Sequence, residues 1–327
     1  MSVAKKYDFV TILKFFAIVM IINSHAKWMY PERLQMLACG GAWGCSLFFF
    51  CSGFTMARMR TESFWRYVFK KVWRIYPAVW IWYALTWNYT DNFTWWWMLW
   101  PNYWFLRSIL IYYILFYIVV KFANNYLQEI IIVGVGLTIL CYIFSVNSNW
   151  MIDIANQDIT KIYYFVFMLF GAYMRNIKEQ KSFKAVNNVC SQKNFGEFTA
   201  SIVFVFVIIY SFVFCYSLKF VCMRYEKLIH LQVLFPVILF AACYLFSIYF
   251  KSWKISNQKL KKILEYIAKM TLELYVVQQL LIYYKLAQPI SGLGAICITL
   301  VCAASLHWAV GKLDLCLNKV LNINKAL

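Results

Sequence analysis

Charge is scarce in this chain. Only 14% of its 327 residues are Asp, Glu, Lys or Arg, where a soluble domain carries about 25%. With 63% hydrophobic residues and a mean hydropathy of +0.62, the deficit excludes the soluble globular class. Acidic residues are rarer still, 13 against 32 basic ones, for a net charge of +19. In a soluble protein that excess would point to nucleic acid. Here there is no contiguous basic domain or nucleic-acid motif, and the lysines and arginines fall between apolar runs, where they meet anionic lipid headgroups. Histidine is limited to His25, His230 and His307. The eleven cysteines form no C-x-x-C and no Cys/His spacing suited to zinc, so no metal is expected. Dispersed through apolar runs, the cysteines read as small hydrophobes. There is no internal repeat, and the five prolines and eleven glycines make no paired breaks in two halves. The inverted-repeat transporters are built on both features. No small-residue cleavage site follows the first apolar run, which therefore reads as a first span.

What is present in quantity is apolar sequence. Runs near the roughly 20 residues needed to cross a bilayer lie at 8–30, 41–59, 72–90, 103–121, 129–147, 160–175, 198–219, 229–250, 264–286 and 291–312. The expected fold is an all-α polytopic membrane bundle of about ten transmembrane helices. Placing the N-terminus inside puts 22 basic residues in inner segments and 7 in outer ones, with Lys14, Arg107 and Lys269 inside spans. That asymmetry orients both termini to the cytoplasm. Residues 1–327 read as a single membrane domain with no appended soluble domain, and 176–197 reads as its largest polar loop.

Polar groups within this apolar background are the candidate site. The first run carries Lys14 and His25 eleven positions apart, on nearly the same side of one helix and about 16 Å apart along its axis. Ionisable groups at membrane depth are costly and tend to face a bundle interior or a water-filled cavity. The pair fits a catalytic site, a solute pathway, or two side chains snorkelling to opposite interfaces. The second run, Gly40 to Phe54, holds four of the eleven glycines, which suits close helix packing or close approach of a ligand. Lys70, Lys71 and Arg74 share one helical face beside the third run. They suit either a grip on lipid phosphates or a cradle for a phosphorylated cytosolic ligand. Trp87, Trp95, Trp96, Trp97, Trp100, Tyr103 and Trp104 form an aromatic belt at the outer interface that could also stack on sugar faces. Lys269 and Glu273, four apart, are expected to pair with each other.

Several short patterns occur in order: Lys14 and, after ten intervening residues, His25; Leu47-Phe48-Phe49-Phe50-Cys51-Ser52-Gly53-Phe54; Lys71-Val72-Trp73-Arg74-Ile75-Tyr76-Pro77; Trp104-Phe105-Leu106; and Thr271-Leu272-Glu273-Leu274-Tyr275-Val276-Val277-Gln278. Together they resemble the acyltransferase 3 family, bacterial membrane enzymes that move acetyl or other acyl groups from coenzyme A to sugars. The resemblance spans essentially the whole chain. Three positions depart from its pattern. Lys71 stands where arginine is usual, which keeps charge but loses the bidentate fork. Gln278 stands where a late histidine is usual, so no proton transfer is assigned there. An acid three residues before the first-span basic residue is missing, and Asp8 inherits no role.

The resemblance implies a transferase, an O-acetyltransferase, of the bacterial inner membrane. Acetyl-CoA would be the acyl donor and a glycan or lipid-linked saccharide the acceptor. Membrane lipids surround it, nucleic acid is not a partner, and association into a homo-oligomer is left open. His25 would be the base or, alternatively, carry the acyl group. Lys14 would hold part of coenzyme A or offset developing charge. Lys71 and Arg74, with Lys70 beside them, would meet the coenzyme A phosphates. Ser52 and Gly53 would line the acyl channel, and Trp104 the acceptor side. The rival class is a transporter or flippase for a glycan or lipid intermediate, with Lys14, His25, Lys269 and Glu273 along a polar path. A non-catalytic scaffold would leave Lys14 and His25 without purpose.

Overall fold

Lipid offers no partner to backbone N–H and C=O groups, so a segment that enters it must satisfy them internally, as a helix does. The computed structural model describes residues 7–57, 63–89, 94–144, 158–177, 197–250, 253–283, 290 and 292–320. Among them it contains helices and turns but no strand. In chain order the helices are α1 (Asp8–His25), α2 (Gly41–Met56), α3 (Phe64–Thr86), α4 (Trp104–Phe122), α5 (Leu127–Phe144) and α6 (Asp158–Ile177). They continue with α7 (Glu197–Arg224), α8 (Leu234–Tyr249), α9 (Gln258–Lys269), α10 (Thr271–Gln278) and α11 (Gly292–Val320). A π turn, Gln279–Tyr283, continues α10. The polar loop expected at 176–197 lies outside the described residues from 178 to 196.

Seven helices among the described residues are long and apolar enough to cross a membrane. They correspond to α1, α2, α4, α5, α7, α8 and α11. Where ten runs were expected, the other three give α3, α6 and the α9–α10 pair. The first half of α3 carries Arg66, Lys70, Lys71 and Arg74. In α6, tyrosines and the terminal Lys161 and Arg175 lower the hydropathy. The ninth run is not one helix: the chain leaves helical geometry at Met270. Upstream of that break, α9 carries lysines at 259, 261, 262 and 269 among apolar residues, the pattern of a helix lying in an interface. Downstream, α10 is buried along nearly its whole length. A lysine-rich amphipathic turn and an apolar turn have different solvents, and the junction falls where the composition changes.

The chain's contacts divide into two compact units, and both α1 and α4 pass from one to the other. Unit 1 comprises Met1–Met20, Gly40–Arg60 and Ile118–Ala268. Its centre is α2 packed on α6. A Cβ built on Gly53 would fall 1.7 Å from the Met168 carbonyl oxygen, and one on Gly171 would fall 2.1 Å from that of Phe50. The two helices therefore approach backbone to backbone, which only glycine permits. Around the crossing, Ser46 and Tyr163 share a hydrogen bond, and the Trp43 indole donates to Ser211 Oγ at 3.3 Å. Gly40 begins α2 with φ at +115°, a left-handed conformation that side chains disfavour. At the start of α1, buried Asp8 accepts from the Ile255 backbone N–H at 2.8 Å and from Lys261 Nζ at 2.9 Å. Its carboxylate thus has a structural task, clasping the entrance of α9.

Unit 2 comprises Ile21–Cys39, Thr61–Tyr117 and Lys269–Leu327. Its core is the mutual packing of α3, α10 and α11. The Trp73 indole on α3 donates to Asp314 on α11 at 2.8 Å. The aromatic segment 95–102 is pinned to α3: Tyr76 Oη donates to the Leu99 carbonyl, the Trp80 indole to the Met98 carbonyl at 2.7 Å, and the Asn102 N–H to Tyr83 Oη at 3.1 Å.

Candidate functional site

Unit 2 holds His25, Lys70, Lys71, Arg74 and Trp104, while Lys14, Ser52 and Gly53 belong to unit 1.

His25 is the last residue of α1, and its surroundings are set by a polar hub two residues earlier. Asn23 donates through Nδ2 to the carbonyls of Leu37 and Cys39, at 2.7 and 2.8 Å, and accepts through Oδ1 from Tyr30 at 2.6 Å. The loop 27–39 is thereby folded back over the end of α1. The Trp28 indole then donates to the Ile282 carbonyl at 2.8 Å, joining the loop to the π turn after α10. A π turn lengthens the i→i−4 ladder and leaves carbonyls to be satisfied from outside, as Trp28 does here. The same α10 delivers Gln278, fully buried, whose Oε1 lies 2.8 Å from His25 Nδ1. Gln278 Nε2 faces Gln279 Oε1 at 3.4 Å.

The basic trio is not equivalent. Lys71 is half-buried, its ammonium 5.4 Å from the centroid of the Tyr67 ring and 5.3 Å from that of Tyr113, a cation held between two aromatic faces. Lys70 and Arg74 are exposed on the same helix. A turn further on, Pro77 is buried within α3. Trp104 opens α4 half-buried beside Phe105, whose ring lies 4.6 Å from that of Tyr275 on α10. Arg107, counted among the basic groups inside spans, donates to the Pro101 carbonyl at 2.8 Å and to Asn102 Oδ1 at 2.5 Å, closing the entry turn of α4.

Glu273 does not follow the expected i,i+4 pairing. Its Oε1 lies 2.8 Å from His307 Nδ1 on α11, because the break at Met270 takes Lys269 off the helix that carries Glu273. In unit 1, Lys14 is half-buried on α1. Ser52 is buried on α2, and Gly53 is filled on its open side by the Met168 backbone, so close helix packing accounts for that glycine. Sequence reasoning missed the Asn23 hub, the Asp8 clasp and the His25–Gln278 bond. The motif did mark position 278, but a partner 253 residues away in the chain leaves no local signal.

No curated protein and no solved structure matches the sequence significantly. A family model described as an acyltransferase domain matches residues 7–308, nearly the entire chain. The protein therefore belongs to the acyltransferase 3 family, and is an acyltransferase built as a multi-pass helical membrane protein.

Proposed function

We propose that this protein transfers an acyl group, acetyl by default, from cytosolic acyl-CoA to a hydroxyl of a cell-surface or lipid-linked glycan. It would sit as one membrane domain in a bacterial inner membrane, with both termini cytoplasmic. The observation that carries the reading is the placement of His25, an imidazole braced at the end of a membrane helix in a chain of an acyltransferase family. In the direct route, one imidazole nitrogen takes the acceptor hydroxyl proton as the oxygen attacks the thioester carbonyl. The C–O bond forms, the C–S bond breaks, and the proton passes to the departing thiolate. Lys14 offsets charge on the tetrahedral intermediate or holds the pantetheine arm. Lys71 and Arg74, with Lys70, meet the coenzyme A phosphates. Ser52 and Trp104 would line the donor and acceptor approaches.

The test is purified protein in lipid nanodiscs with radiolabelled acetyl-CoA and an extract of surface glycan. Label in glycan or protein supports the reading. Solute movement indifferent to coenzyme A would replace it with a transporter. Comparing the mass of surface glycans from cells with and without the gene identifies both group and acceptor. Arg74→Ala is expected to raise KM for acetyl-CoA about tenfold with kcat nearly unchanged, the signature of lost uniform binding by a charge-assisted phosphate contact. Acetyl-pantetheine, which lacks those phosphates, should show no difference between Arg74→Ala and wild type. An equal loss with both donors would remove Arg74 from phosphate binding.

A further inference from the structure

The resemblance assigned no proton transfer to Gln278, yet the structure sets this fully buried amide against the one histidine placed at the site. A carboxamide cannot take up a proton at working pH, but its two ends differ: the oxygen only accepts and the NH2 only donates. A neutral imidazole likewise has one donor and one acceptor nitrogen, and which is which depends on the bond that the other nitrogen makes. The orientation of Gln278 therefore decides where the His25 proton resides.

We infer that Gln278 is a positioning residue that holds His25 as the Nδ1–H tautomer, so that Nε2 is the nitrogen that takes the acceptor proton or the acyl group. This deepens the proposed function and rests on it. Three features of the site carry it. Gln278 Oε1 lies 2.8 Å from Nδ1, a full hydrogen-bond distance. The amide's other end faces Gln279 Oε1, an acceptor, so the NH2 group has a reason to point away from the imidazole. The helix bearing Gln278 is itself anchored to the loop over α1 through Trp28 and Ile282, so the ring and the amide are held by one braced assembly. With the amide reversed, Nδ1 would have to accept and Nε2 would carry the proton, leaving Nε2 unable to act as base or nucleophile. A residue fixed in the wrong tautomer keeps its geometry and loses its chemistry.

With only three histidines in the chain, the tautomer can be read directly. Magic-angle-spinning spectra of full-length protein in lipid, labelled with 15N-histidine, distinguish a protonated from an unprotonated ring nitrogen. Subtracting the His25→Ala spectrum assigns the signals of His25. The expected wild-type result is Nδ1–H. Gln278→Leu, which fills similar volume without an acceptor, should return His25 toward the Nε2–H form that an isolated imidazole favours. It should also lower kcat about 100-fold with KM for acetyl-CoA unchanged, because only the reacting nitrogen is affected. Gln278→Glu restores an acceptor at the same reach, and should keep Nδ1–H with kcat within about tenfold of wild type. An Nε2–H signal in the wild type overturns the proposal, as does a Gln278→Leu protein whose tautomer or kcat is unchanged. Absence of any acyl transfer by wild-type protein would instead refute the proposed function, and the spectrum would still decide the role of Gln278. Should Gln278→Leu fail to fold, the wild-type and Gln278→Glu spectra suffice.

Discussion

Cells carrying His25→Ala should hold the protein in the membrane at the wild-type level and show no acylation of surface glycan. A positioned base contributes about 10²–10⁴-fold to such a step, and a covalent carrier contributes the whole route. Either way the residual rate falls below detection in a glycan mass spectrum. The membrane level is expected to survive because His25 is only half-buried and ends its helix. The loop above it is tied down by Asn23, Tyr30 and Trp28, none of which needs the imidazole. Quantifying the protein by immunoblot beside the glycan spectrum separates loss of chemistry from loss of protein. Unchanged acylation would remove His25 from the mechanism.

Gly53→Ala is expected to be the most damaging alanine substitution among the glycines whose surroundings are described. The new Cβ would lie 1.7 Å from the Met168 oxygen, 2.7 Å from its carbonyl carbon and 3.1 Å from its Cα. All three are backbone atoms, so no side chain can swing aside, and α2 must move off α6. That movement opens the ring packing around the crossing, where Phe50 meets Phe170 and Phe49 meets Tyr164. Ordinary overpacking costs about 1–3 kcal/mol by forcing side chains off their rotamers, and a backbone clash lies at or beyond the top of that range. Size-exclusion profiles and thermal unfolding in detergent should show loss of the monodisperse species. Gly136→Ala is the control: nothing lies within 4 Å of the added atom, and alanine in a helix interior is favoured by about 1 kcal/mol. If Gly53→Ala behaves like Gly136→Ala, the crossing is looser than described and Gly53 returns to the acyl channel.

Helices were legible because lipid leaves an apolar run little choice, and their approximate bounds follow from the runs themselves. The break at Met270 was not legible, since a window of average hydropathy blends the lysines of α9 into the apolar turns of α10. Lys14, His25, Lys71 and Arg74 stood out because ionisable groups are conspicuous in apolar sequence. Their individual settings did not: Lys71 and Arg74 share a helical face by spacing, yet one lies between tyrosine rings and the other in the open. Glu273 shows the limit best. The i,i+4 rule names Lys269 as its partner, and the rule presumes an unbroken helix that tertiary packing withheld. Polar residues that are neither charged nor part of a known pattern, Asn23 above all, gave no signal, because an amide's meaning lies in what it faces.

Asn23 has a consequence for how freely this chain can drift. Its side chain supplies two donors and one acceptor in opposite directions, to Leu37, Cys39 and Tyr30. Aspartate has the same shape but would turn an oxygen toward two carbonyl oxygens. Serine is too short, and glutamine moves every contact by a methylene. No other side chain combines that reach with that division of donors and acceptors. In a saturation scan scored by acylation, position 23 should be as intolerant as position 25, although asparagine here touches nothing that reacts. The first-span pattern would then be longer than the two residues that define it, with a silent third member whose only work is to keep a loop folded over a histidine.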